Sequence, residues 1–509
     1  MPRRRLSLLL LCGVCLHLGA IGWFAANRPI DGDEGYYGLA ARLVAEGKRP
    51  YADFFYPQAP LLPYLYAPAA AVVGAPQLPD LRYVSVALSG LCLGVAAWWL
   101  RRTHAEHPGA ALAALLLLGL SPELILWHST VKTFAWTGLA TLGGLVALDC
   151  ALTRPARRGP WLLAGGLLFG LAVASRLLFA PVALVPGLWL LGRRVGRDPR
   201  GALWWFGGLA VGLAPIWVAL ARDPAVFWFN NVGYHRLRFS ELEDEPAFVR
   251  RLAAIGMLGR SLATNPGLLA FAVLAAGGAI ARRRRGDPAA AESAGALPGI
   301  SLAAAVVHCV ACLVPEPVHM QYFTGSLPVL LLPAAADGLV RLPRATAGRW
   351  RLGLGLAAPA ICAISLGMIR HDVDPAPCWR LDHYRRVCRR IVELTRPRDT
   401  VLGFWSGYVG GSGRQPLPGF ENHFAVGVSE RLDPVRLRRY RIAGRHELAD
   451  AFARETPAVV VIGVWMNEID IALDNRQMTD LLAVFNAHYV LREELDGAKL
   501  CERATGSRR

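Results

Sequence analysis

Apolar runs of about 15 to 22 residues, with few charged positions inside them, recur along the first 370 residues and are divided by short breaks rich in arginine. A run of about twenty apolar residues is the length of a helix that crosses the hydrocarbon core of a bilayer, so the repetition predicts an α-helical polytopic membrane protein. About eleven transmembrane helices are expected, near 6–26, 83–100, 109–127, 133–152, 161–175, 177–191, 202–221, 266–281, 298–314, 321–340 and 352–369. The 161–191 stretch reads as two helices or as one long tilted helix, and the charge pattern below favours two. Two segments between spans are long. The first, 27–82, has helical character over Tyr36–Ala45 and an apolar stretch, Leu61–Val73, suited to the membrane interface. The second, 222–265, mixes aromatic and charged positions in WFNNVGYHRLRFSELEDEP.

Beyond residue 369 the pattern changes. Helical periodicity is expected over Leu381–Leu394, near Glu447–Arg454 and near Thr479–Asn486. Strands are expected around Thr400–Trp405, over the β-branched run Ala458–Trp465 and around Tyr489–Leu491. The chain thus divides into a membrane domain, 1–370, and a C-terminal α/β domain, 371–509, large enough to bury its own core.

The formal charge of +17 changes this picture in one respect. A basic balance of that size could point to nucleic acid, but the arginines fall in every second break: Arg101 and Arg102, Arg154 to Arg158, Arg193 to Arg200, Arg282 to Arg285 and Arg341 to Arg351. That alternation is the signature of cytoplasmic loops, so topology accounts for the charge and no nucleic acid partner is expected. With Arg3 to Arg5 inside, the first run becomes a retained signal anchor, and both long segments and the C-terminal domain fall outside the cytoplasmic membrane. Most of the 10 cysteines lie in apolar runs as small hydrophobes, and a Cys378–Cys388 bridge is open in an outside domain.

The densest acidic cluster, DGDEGYY over 31–37, stands at the end of the first span. It reads either as a helix start capped by Asp31 or Asp33 or as a carboxylate placed for general base work beside the membrane. GYVGGSG, 407–413, lacks the Lys-Ser/Thr ending of a phosphate loop and reads as a turn.

The block DEGYYGLAARLVAEGKRPYADFFYPQAPLLPYLYA resembles the first outside loop of the GT-C membrane glycosyltransferases, in particular the group of protein O-mannosyltransferases and lipid A aminoarabinose transferases. Asp33-Glu34, Tyr37, Ala40-Ala41, Gly47, Pro50-Tyr51, Asp53-Phe54 and Pro60-Leu61 stand in the places of that family's motif. GLLFGLAVASRLLFAPVALVPGLWLL, FWFNNVGYHRLRF and HMQYFTGSLPVLLLPAA are similar to its paired helices around a basic residue, its later outside loop and the entry to a late span. The resemblance implies transfer of a sugar from a polyprenyl-phosphate donor to an acceptor lipid, polysaccharide or protein, outside the cytoplasmic membrane and with inversion. It implies Asp33 as general base, with Glu34 orienting Asp33, the acceptor or a helix end. Lys132, Arg176, His235, Arg236, Arg238 and His319 become candidates for the leaving phosphate, and Tyr37, Gln58 and Tyr322 for substrate contact. No cofactor is required; a divalent metal ion held by Asp33, Glu34 or His235 stays open. The chain reads Gln58-Ala59-Pro60 where the aminoarabinose transferases have Glu-Lys-Pro, losing two charges used there for metal and phosphate. Two other classes compete: a lipid or sugar transporter, against which stands the lack of an internal repeat, and a sensor, which leaves the long first loop unexplained.

Overall fold

The structure is a computed structural model that describes residues 3–74, 78–192, 198–238, 246–285, 295–341, 360, 377–463 and 475–504. The chain divides into two compact units. One comprises Met1–Ala25, Ser85–Trp217 and Leu242–Asp372, and the other Ala26–Val84, Val218–Glu241 and Val373–Arg509.

The first unit is helical. Among the described residues, five helices are long and apolar enough to cross a membrane: Arg3–Asn27, Leu78–Thr103, Phe134–Thr153, Pro155–Ser175 and Pro266–Arg284. Two bent pairs, Pro108–Gly119 with Pro122–His128 and Pro199–Gly212 with Ala214–Arg222, bring the number to 7 if each is one span. Shorter apolar helices cover Leu177–Gly192 and Ala296–Cys312, and Leu327–Arg341 follows the five-residue helix Met320–Thr324. Helices therefore stand over ten of the expected spans, while 352–369 lies outside the described residues except for residue 360. The 161–191 stretch is two helices: Arg176 ends the first in an extended conformation, φ −155° and ψ 112°.

Glycines set how closely these helices approach. A Cβ on Gly166 would come within 2.0 Å of the Trp205 carbonyl oxygen, and one on Gly208 within 2.0 Å of the Leu163 carbonyl oxygen. Gly170 and Gly212 repeat the contact one turn on, so a pair of small-residue stripes spaced by four lets Arg158–Ser175 and Pro199–Gly212 pack backbone to backbone.

The second unit contains a five-stranded sheet in the order β2-β1-β3-β5-β4. Its strands are β1 (Thr400–Gly403), β2 (Gln415–Pro416), β3 (Val459–Ile462), β4 (Tyr489–Leu495) and β5 (Ala498–Arg503). β1 is parallel to β2 and β3, and β5 is antiparallel to β3 and β4. The hydrophobic run over β3 is buried as its composition predicts, against Leu402, Phe452 and Phe485. The closing strand expected near 489–491 extends into a β4–β5 hairpin. Its turn, Asp496-Gly497, has positive φ at both positions, 45° and 90°, the geometry that two-residue hairpin loops favour.

One expectation is corrected and one open pairing is decided. GYVGGSG is not a turn: Ser406–Ser412 forms a buried helix directly after β1 and ends at Gly413 in the left-handed region, φ 68°. Glycine costs a helix about 1 kcal/mol per residue, but here neighbours leave no room for a side chain. A Cβ on Gly411 would lie 2.1 Å from the Tyr384 hydroxyl and 2.5 Å from Cys388 Sγ. Cys378 and Cys388 are unbridged thiols; the buried Cys388 Sγ donates instead to the Tyr408 carbonyl at 3.8 Å.

Candidate functional site

In the second unit, the acidic loop 31–34 leads into the helix Glu34–Ala45. Its anchor is a buried ion pair. Arg82 donates to Glu34 Oε1 at 2.8 Å and to Oε2 at 2.5 Å, and both side chains are 0% exposed. Arg82 also donates to the carbonyls of Arg28 and Pro29, and Glu34 Oε2 accepts from the Asp31 amide at 3.0 Å. Both carboxylate oxygens of Glu34 are thus committed to holding the loop, which is the helix-end role among those expected of it. Trp405 closes the other side by donating from Nε1 to the Gly32 carbonyl at 2.9 Å. Gly35 admits this contact, since a Cβ there would lie 2.6 Å from Trp405 Nε1 and from the Gly407 amide nitrogen.

Asp33 occupies the N-cap position, yet its side chain makes no capping hydrogen bond; the local Asx-type bond comes from Asp31, whose Oδ1 accepts from the Asp33 amide at 3.0 Å. The capping reading of Asp33 therefore gives way to a half-buried carboxylate on a rigid loop. Behind it, Tyr36 and Tyr37 pack with ring centroids 4.2 Å apart. Burial, reinforced by Tyr37 and Asp33, pushes the Tyr36 phenol well above its usual range, which keeps it neutral.

Gln58 and His235 belong to one neighbourhood of the same unit. The Tyr51 hydroxyl donates to the Gln58 carbonyl and accepts from Asn231 at 3.2 Å. His235 Nε2 lies 3.1 Å from the Pro57 carbonyl oxygen, so that nitrogen carries the hydrogen. Arg236 is exposed, and Arg238 lies over the Phe424 ring at 4.1 Å.

In the first unit, Lys132, Arg176 and Tyr322 come together. Arg176 donates from Nη1 to Thr133 Oγ1 at 3.0 Å and lies over the rings of Phe134 and Tyr322, at 4.6 and 4.9 Å. It is 9% exposed, and among the described residues no carboxylate forms an ion pair with it. Lys132, 3% exposed, donates to Gln321 Oε1 at 2.9 Å and lies over Trp127. His319 is exposed and sets its ring edge-on to Tyr322, centroids 5.4 Å apart. Two buried cations near aromatic faces suit an anion, because a guanidinium taken out of water without a counter-charge costs several kcal/mol.

Among the described residues no three His, Cys, Asp or Glu side chains are grouped to hold a metal ion. Glu34, one of the three residues left open as a ligand, has both oxygens on Arg82. Arg82, Thr133, Phe134 and Trp405 went unnoticed in the sequence, although an arginine at the mouth of an apolar run was a signal for the first.

Residues 64–314 match the family model "Glycosyltransferase family 87". That stretch is thus similar to a glycosyltransferase family over just under half of the chain. ArnT from Cupriavidus metallidurans, in its crystal structure bound to undecaprenyl phosphate, superposes with a TM-score of 0.68 at 14% identity, over 97% of this chain and 98% of that one. The Archaeoglobus fulgidus oligosaccharyltransferase superposes at 0.52 and 13% identity, over 98% of this chain and 75% of that one. At such identities these structures show the GT-C fold alone. In sequence, 244 residues are 29% identical to a Mycobacterium tuberculosis polyprenol-phosphate-mannose-dependent alpha-(1-2)-phosphatidylinositol mannoside mannosyltransferase, 44% of this chain. The chain spans about half, 53%, of that curated relative's length.

Proposed function

We propose that this GT-C protein transfers a glycosyl group from a polyprenyl-phosphate donor to a hydroxyl of an envelope acceptor, on the outer face of the cytoplasmic membrane. The observation that carries the reading is Arg176, buried, lacking a carboxylate partner among the described residues and lying over two aromatic rings. Such a cation calls for an anionic ligand, and a donor phosphate inside an apolar helical unit supplies one. The names of the mannosyltransferase relative and of the undecaprenyl phosphate complex of ArnT give the same donor class. The match of residues 64–314 to a glycosyltransferase family model favours this over transport.

In the proposed reaction the acceptor oxygen attacks the anomeric carbon from the side opposite the phosphate. Its proton passes to the Asp33 carboxylate as the carbon–oxygen bond to phosphate breaks, and the polyprenyl phosphate leaves as an anion with the sugar inverted. Lys132 and Arg176 stabilise the charge on the leaving phosphate. Asp33 suits the base role because Arg82 and Trp405 hold its loop while its own carboxylate is spared from capping. His235, His319, Tyr37, Gln58 and Tyr322 supply further substrate contacts, and Arg236, being exposed, meets lipid headgroups or the donor's outer end.

The test is incubation of membranes containing the protein with radiolabelled polyprenyl-phosphate-mannose, followed by extraction of lipids, glycans and proteins. Label should enter one of these fractions only when the protein is present. Equal labelling in membranes lacking it would reject the reading for this donor, and mass spectrometry of envelope glycans with and without the gene extends the test to other sugars.

A further inference from the structure

Gln321 and Tyr322, which meet Lys132 and Arg176, stand on the five-residue helix Met320–Thr324. A helix this short cannot hold itself together, and its last carbonyls have no partners further along the helix. Two imidazoles from elsewhere in the first unit take them. His308, in the helix Ala296–Cys312, lies with Nε2 3.1 Å from the Tyr322 carbonyl oxygen. His128, at the end of Pro122–His128, lies with Nε2 3.2 Å from the Gly325 carbonyl oxygen.

Both histidines are buried and fixed. The His308 ring stacks on Phe179 with centroids 4.9 Å apart, and Cys312 Sγ adds a weaker bond to the Tyr322 carbonyl at 3.5 Å. His128 Nδ1 lies 3.1 Å from Ser89 Oγ, which is 2.9 Å from His17 Nε2; His17 Nδ1 ends the chain on the Gly119 carbonyl at 2.7 Å. A carbonyl only accepts, so His128 and His308 each carry hydrogen on Nε2 and His17 on Nδ1. Glycines make the room: a Cβ on Gly138 would lie 2.8 Å from His128 Cε1, and one on Gly325 would lie 2.5 Å from the Phe134 ring.

We propose that His308 and His128 are positioning residues for the donor phosphate, pinning the segment that carries Gln321 and Tyr322 so that Lys132 and Arg176 keep their aim. The inference rests on the phosphate role given to Lys132 and Arg176. Neither histidine touches the substrate; each acts through a backbone carbonyl.

The test measures binding of undecaprenyl phosphate to the full-length protein in detergent, with the melting temperature of the unliganded protein alongside. His308→Leu should weaken binding about 5- to 30-fold, the worth of one lost positioning hydrogen bond. His308→Gln, which keeps an N–H donor, should bind within about threefold of wild type. If His308→Leu and His308→Gln bind alike, the proposal is overturned. Gly138→Ala, which pushes the His128 ring without removing it, repeats the test if His308→Leu fails to accumulate: weakened binding supports the proposal and unchanged binding overturns it. Arg176→Met in the same assay separates the two levels. Unchanged binding there sinks the phosphate role itself, whereas weakened binding there with unchanged binding in His308→Leu sinks only the positioning role.

Discussion

Replacing Arg176 by methionine should do two things that a structural arginine would not combine. Methionine is unbranched, flexible and close in length, so the cavity is refilled while the charge is removed. The unliganded protein loses one hydrogen bond to Thr133 and two cation–ring contacts, worth about 1–2 kcal/mol each at most. It also sheds a buried guanidinium for which no carboxylate compensates among the described residues, a desolvation cost of several kcal/mol. The melting temperature without ligand should therefore stay level or rise. Phosphate binding should fall, since a hydrogen bond to a charged group contributes about 1.5–3 kcal/mol, or roughly a 10- to 150-fold change in Kd. Titration of undecaprenyl phosphate in detergent, with thermal unfolding of the same preparations, reads both quantities. A markedly lower melting temperature together with an unchanged Kd would refute the reasoning and make Arg176 a packing residue.

Three further outcomes follow from the second unit. Breaking the buried Glu34–Arg82 pair from either side, with Glu34→Gln or Arg82→Met, should cost about 3–5 kcal/mol. The double variant should lose clearly less than the two losses combined when followed by chemical denaturation, and strict additivity would deny the coupling. Gly411→Ala drives a methyl group against Tyr384 and Cys388 and should destabilise by about 1–3 kcal/mol in the same assay, with no loss meaning that the helices can part. Burial raises Glu421 to about 7, against hydrogen bonds and the charges of Lys48 and Arg441. The folded state then holds a proton that the unfolded state has released, so this group's contribution falls as pH rises from the ordinary carboxylate range to about 7. Glu421→Gln should flatten the melting temperature over that window and raise it at pH 8; an unchanged pH profile would reject the assignment.

The succession of apolar helices was legible because it rests on run length, which survives without knowledge of any tertiary contact. The helices Glu34–Ala45 and Leu61–Val72 and the strand of β-branched residues were read for the same reason, each being a local pattern. What escaped depends on partners distant in sequence. GYVGGSG read as a turn because it lacks the ending of a phosphate loop, and the need for glycine inside a helix shows only once Tyr384 and Cys388 are seen pressing on Gly411. Asp31 and Asp33 were equal candidates for the cap until Asp31 was seen to make the turn's bond, and the role of Glu34 among its three expected ones could not be chosen without Arg82, 48 positions on, which takes both of its oxygens. The Asp496-Gly497 hairpin is different: its turn dipeptide was in plain view. Arg176 was marked as a candidate for the leaving phosphate, but the aromatic rings that accept its face could not be read from a sequence that places Phe134 and Tyr322 far from it.

The transfer rate of Asp33→Asn, measured in a single turnover with polyprenyl-phosphate-mannose and a membrane extract as acceptor, bears most directly on the proposed chemistry. The amide cannot take the acceptor's proton, so the rate should fall by about 100-fold or more, with undecaprenyl phosphate binding and melting temperature close to wild type. Transfer at the wild-type rate by that variant would contradict the account.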